Sequence, residues 1–72
     1  MSCYLRRLGE VLAAAGIADT AEAHRRVHAM IQEITGEQDC PLVWRRVKAA
    51  LGEHAERELL IAGLRERWLR AG

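Results

Sequence analysis

Seventy-two residues carry eleven basic and ten acidic side chains, three histidines, two cysteines, two tryptophans and one tyrosine, for a formal net charge of +1. A chain this short makes one domain at most and buries only about 60% of its unfolded surface, so small contributions decide its stability. Half the residues are apolar, which excludes a disordered chain. The balance of charge gives no electrostatic reason to expect nucleic acid or a membrane surface as partner. No apolar run approaches the 18 or so residues of a membrane helix, and the N-terminus lacks the hallmarks of a signal peptide. The expectation is therefore a cytoplasmic protein with Cys3 and Cys40 reduced.

The first segment, SCYLRRLGEVLAAAG, places Leu5, Leu8, Leu12 and Ala15 on one stripe, widened by Tyr4 and Val11, between an N-cap at Ser2 and a stop at Gly16. The second, DTAEAHRRVHAMIQEITG, opens with Asp19 and Glu22 in near capping-box spacing and stops at Gly36. Its apolar face is Ala23, Val27, Met30, Ile31 and Ile34. In the third, DCPLVWRRVKAALG, Pro41 falls in the first turn, where its missing N–H costs nothing. Val43, Trp44, Val47, Ala50 and Leu51 face inward, and Gly52 ends it. The fourth, EHAERELLIAGLRERWLRAG, sets Leu60, Ile61, Leu64 and Trp68 on one side. No segment alternates as a strand does. The pattern predicts an all-α protein, an antiparallel three- to four-helix bundle with helices over about 3–15, 20–35, 41–51 and 53–70, the last two separate or one kinked helix. The arginine doublets of LRRL, HRRV and WRRV read as the wet sides of amphipathic helices, helped by acids four residues before arginines at Glu22–Arg26, Glu53–Arg57 and Glu66–Arg70.

HRRVH, at 24–28, puts two histidines one turn apart in a chain with two cysteines, nominally a Cys₂His₂ set of Cys3, His24, His28 and Cys40. With antiparallel neighbours, Cys3 and Cys40 begin the first and third helices at one end of the bundle, where the second helix finishes at Gly36. His24 is then roughly 18 Å from that end at 1.5 Å per residue, far beyond a zinc–ligand bond of about 2 Å. The positions that reach the cysteines are Arg7 and Gln32, neither a usual zinc ligand. His24, His28 and His54 converge at the opposite end if the fourth helix turns back, but no carboxylate is placed there as a base. A partly exposed side chain bordering the core is the simpler reading of each histidine. CYLRRL, IQEITG and CPLVWRRVK, over residues 3–48, resemble a family of small uncharacterised prokaryotic helical proteins. Its pattern reads Cys-Tyr-Leu/Met-Arg-His-Leu, Ile-His-Glu-Ile-x-Gly and Cys-Pro-x-x-Trp-x-x-Val-Lys. The family's two histidines fall on Arg7 and Gln32 here. The resemblance implies a helical fold and, if the family binds metal through two cysteines and two histidines, a site of which this chain keeps only Cys3 and Cys40.

Three functional classes follow. The first is a non-catalytic interaction module that forms a homodimer or docks on a protein partner. In the fourth segment Leu59 and Leu69 point away from the stripe of Leu60, Leu64 and Trp68, so the helix is apolar over much of its circumference, and these five residues are the expected interface. Trp68 among Arg65, Arg67 and Arg70 has the composition of a binding hot spot. The second is a thiol-based redox or zinc-binding module: Cys3 and Cys40 sit in first helical turns, where unpaired N–H groups lower a thiol pKa. The simpler reading of both is cysteine packed as a small apolar side chain. The third, nucleic-acid binding through Arg45, Arg46 and Lys48, has the least electrostatic support among binding functions. Catalysis finds no phosphate loop, nucleophile arrangement or paired carboxylates.

Overall fold

In a computed structural model that describes residues 4–71, the chain forms a 3-10 turn over Leu5–Leu8 and helices α1 (Gly9–Ala14), α2 (Ala21–Thr35), α3 (Cys40–Leu51) and α4 (His54–Ala71). The described residues contain no strand, so the class is all-α. The first predicted helix is corrected: instead of α-helix throughout, Leu5–Leu8 wind as a tighter 3-10 turn, in which the Arg7 N–H donates to the Tyr4 carbonyl at 2.9 Å, and α-helix begins only at Gly9. Ser2 and Cys3, expected at its start, lie outside the described residues.

Glycine ends two helical segments through backbone geometry. Gly16 and Gly36 adopt φ of 75° and 77°, the left-handed region where a Cβ is strained. At the first, the chain turns so that Ile17 N–H donates to Leu12 O at 2.8 Å, and Ile17 drops into the core. This is a loop residue that no helical period could flag. At the second, Gly36 N–H caps the Gln32 carbonyl at 2.9 Å. The start of α2 differs from expectation: Thr20, in extended conformation, caps it by accepting from Ala23 N–H at 3.1 Å, while the Asp19 carboxylate pairs with His24. Helices α3 and α4 are separate, broken at Gly52 and Glu53, and they pack on each other.

The core is aliphatic. Tyr4, Leu5, Leu8, Val11, Leu12 and Ala15 come from the first segment; Ala23, Val27 and Ile31 from α2; Val43 and Val47 from α3; Leu60, Ile61 and Leu64 from α4. Helix α4 touches all three other helices, and α2 also packs on α3. Burying one leucine or isoleucine side chain contributes about 1.5–3 kcal/mol, so Leu5, Leu8, Leu12, Ile31 and Leu64, all essentially without exposed surface, are large contributors. Ile34, expected inside, is instead exposed on the α2 surface. Among the described residues no buried side-chain nitrogen or oxygen lacks a hydrogen-bond partner, and no helix is long and apolar enough to cross a membrane.

Candidate interaction surface

Helix α4 is built for two environments. Leu60, Ile61 and Leu64 face the core, with Trp68 partly buried against it. On the opposite side Ala55, Leu59, Ala62, Glu66 and Leu69 are all exposed, at successive spacings of four, three, four and three residues. That alternation keeps one line along a helix and is the spacing of a coiled-coil seam. Leu59 is 67% and Leu69 72% exposed, far more than Ile34 and Leu42, the other exposed large apolar side chains among the described residues.

The neighbours of α4 frame this ridge. On one flank Arg65 donates to the Ala14 carbonyl at the end of α1. On the other, Arg67 bonds Glu33 of α2 at 3.3 Å, and Ile34 comes within 3.6 Å of the position a Cβ on Gly63 would take. Beside Leu59 lies a hollow of about 140 Å³ whose walls include Ile34, Ala50, Glu56 and Leu60. Its apolar lining continues the ridge onto α2 and α3. Arg70 pairs with Glu66 one turn back, as the sequence spacing predicts. Arg26 instead sits 4.1 Å over the Trp68 ring, and Arg57 turns to Glu58 rather than Glu53.

The five residues expected at an interface are thus divided by the fold. Leu60 and Leu64 belong to the chain's own core, Trp68 lies under Arg26, and Leu59 and Leu69 remain outward. Sequence reasoning missed Ala55, Ala62 and Glu66 as members of the outer line; their four-three spacing was the signal that could have found them.

The other predicted site residues are placed as follows. Cys40, expected reduced, is disulfide-bonded; Cys3, the chain's other cysteine, lies outside the described residues. One turn along α3 from Cys40, Trp44 stacks on the Tyr4 ring with centroids 6.0 Å apart, and Arg7 lies 5.5 Å over the same indole. Tyr4 thereby holds the start of the described chain against the first turns of α3. Its hydroxyl shares a 2.8 Å hydrogen bond with His28 Nδ1, donating when the neutral imidazole carries its proton on Nε2. Burial raises the Tyr4 pKa from 10.0 to about 12, because the phenolate would lose its hydration. His24 and His28 therefore have separate partners, Asp19 and Tyr4, and Gln32 donates to the Gln38 carbonyl at 3.0 Å. No group of three or more histidine, cysteine or carboxylate side chains with metal-binding geometry occurs among the described residues. Of the basic residues on α3, Arg46 pairs with Glu37 at 3.3 Å. Arg6, Arg7 and Arg57 share a cleft of about 430 Å³ with Glu10.

Compared with known proteins, the chain matches no protein-family model, no curated sequence and no solved structure.

Proposed function

We propose that the protein is a non-catalytic interaction module that self-associates through the outer face of α4. One observation carries this reading: Leu59 and Leu69, the two most exposed large apolar side chains among the described residues, stand on a single four-three line with Ala55 and Ala62. A lone exposed leucine is ordinary on a protein surface; two on one coiled-coil seam, beside an apolar hollow, form a continuous face. The test is sedimentation velocity over a concentration series. The wild-type chain is expected to show a concentration-dependent dimer, and Leu69→Lys to remain a monomer with unchanged helix content. A wild-type chain that sediments as a monomer throughout overturns the reading.

Two structural expectations accompany it. Antiparallel packing of α2 and α4 is supported by their contacts, which run in opposite directions from Ile34 near Gly63 to Arg26 over Trp68. Membership of the small prokaryotic helical family rests on CYLRRL, IQEITG and CPLVWRRVK alone.

A thiol-based redox function is the second reading, and the disulfide at Cys40 favours it. Its partner in this reading is Cys3. Cysteine binds zinc as the thiolate, so a disulfide directs the pair toward redox chemistry rather than metal binding. In a cytoplasmic protein such bonds are usually transient and sensing, which is the role this reading gives the bond. A change of oligomeric state between reducing and oxidising buffer is expected, and Cys40→Ser should abolish it; a Cys40→Ser chain that responds to the two buffers as the wild type does counts against the reading.

A further inference from the structure

We infer that two copies of the chain pair along α4 in opposite directions, with Leu59 of each copy against Leu69 of the other. This inference rests on the self-association reading and adds direction and register to it.

The seam Ala55, Leu59, Ala62, Glu66, Leu69 leaves three simple ways to pair. A parallel, in-register pair sets each seam residue against its own copy, so Glu66 meets Glu66 in the middle of the contact. It also brings Arg65 of one helix to Arg70 of the other, because flanking positions five residues apart face each other in parallel coiled coils. The Glu66 meeting is repulsive; the arginine meeting counts for less, because Arg65 is directed to the Ala14 carbonyl. Antiparallel pairing instead alternates the two kinds of seam position. In one antiparallel register Leu59 faces Ala62 and Ala55 faces Glu66, but Leu69 runs past the first residue of α4, His54, and stays uncovered. In the other, Leu59 faces Leu69 and Ala62 faces Glu66, and all four leucines of the pair are covered.

Charge supports the second register. Along the flank that borders α2, Glu56 of each copy lies opposite Arg70 of the other, giving two equivalent attractive contacts. Arg70 already holds its own Glu66, so it would link that carboxylate, which sits on the seam, to Glu56 of the second copy. The alanine at 62 leaves room for the Glu66 stem. On the other flank Arg65 faces Arg65, but its guanidinium is already directed to the Ala14 carbonyl and away from the seam. The hollow beside Leu59, with Ile34 on its wall, gives Leu69 of the second copy apolar surface to cover. From Leu59 to Leu69 the seam runs ten residues, about 15 Å. It is short, so the dimer is expected to be weak and concentration-dependent.

Charge exchange in the full-length chain tests the register. Glu56 and Arg70 are both exposed, so Glu56→Arg and Arg70→Glu are expected to fold, which circular dichroism checks. Each variant alone turns two attractive contacts into two repulsive ones, and its self-dimer should weaken roughly tenfold. Mixed together, the two variants restore both contacts in the mixed dimer, which native mass spectrometry should show as the dominant dimer. If wild type dimerises but the variants mix at random, the register is overturned while self-association stands. If Leu69→Lys also leaves that dimer intact, the α4 surface itself is wrong; if wild type does not dimerise, both proposals fall.

Discussion

Helices α2 and α4 run for 15 and 18 residues, and both carry regularly spaced apolar side chains. In α2 these form one stripe, with Ala23, Val27 and Ile31 buried and charged residues opposite. In α4 the buried stripe of Leu60, Ile61 and Leu64 is answered by exposed Leu59, Ala62 and Leu69 on the far side. A single stripe is satisfied by one core. A second stripe is left uncovered among the described residues, and apolar surface so arranged is favourable only when another surface removes it from water.

Truncation on the two sides of α4 should separate these roles most sharply. Leu64, with no exposed surface, is expected to cost about 2–5 kcal/mol when changed to alanine. That is a large share of the stability of so small a domain, and urea unfolding measures it. A loss below about 1 kcal/mol would mean that the inner stripe is not the core.

An intermediate effect is expected at Tyr4, where a polar tip enters the core and is satisfied by His28. Its pKa is raised from 10.0 to about 12, so the fold favours the neutral hydroxyl. That contribution is complete below the unfolded pKa and is lost as pH rises from 10 through 12. Unfolding free energy should fall by on the order of 2 kcal/mol across that interval. Tyr4→Phe should flatten the decline while losing about 1 kcal/mol at neutral pH with the hydrogen bond. An undiminished alkaline decline in Tyr4→Phe would assign it to other groups.

The smallest effect on folding is expected at Leu69. Leu69→Ala, measured on dilute monomer, should shift stability by less than about 0.5 kcal/mol, while weakening the dimer seen in the concentration series. A large loss in the monomer would place Leu69 with Leu64, and the contrast between the two faces would disappear.

Much of this was readable from periodicity. The stripes of the first segment and of α4, the stops at Gly16 and Gly36, and the outward direction of Leu59 and Leu69 are local properties of a 3.6-residue repeat and of glycine's access to positive φ. Where several side chains compete for one partner, the sequence offered choices without ranking them. Arg26 had Glu22 at the right spacing, yet lies over Trp68. Ile34 had the period of a core residue, but it lies at the edge of the α2–α4 contact and is left exposed.

The sequence by itself determined the all-α class, the inner stripes and the presence of surplus leucines on α4, because these depend on spacing along one helix. Only the tertiary structure decided that the stripe of Leu60 and Leu64 is filled by the chain's own helices and not by a partner, that Arg26 covers Trp68, and that Ile17 enters the core from a loop. It also decided that Tyr4 joins His28 to Trp44. Those outcomes depend on which helices meet and at what point, and contacts between residues far apart in the chain are fixed by packing and loop geometry rather than by local period.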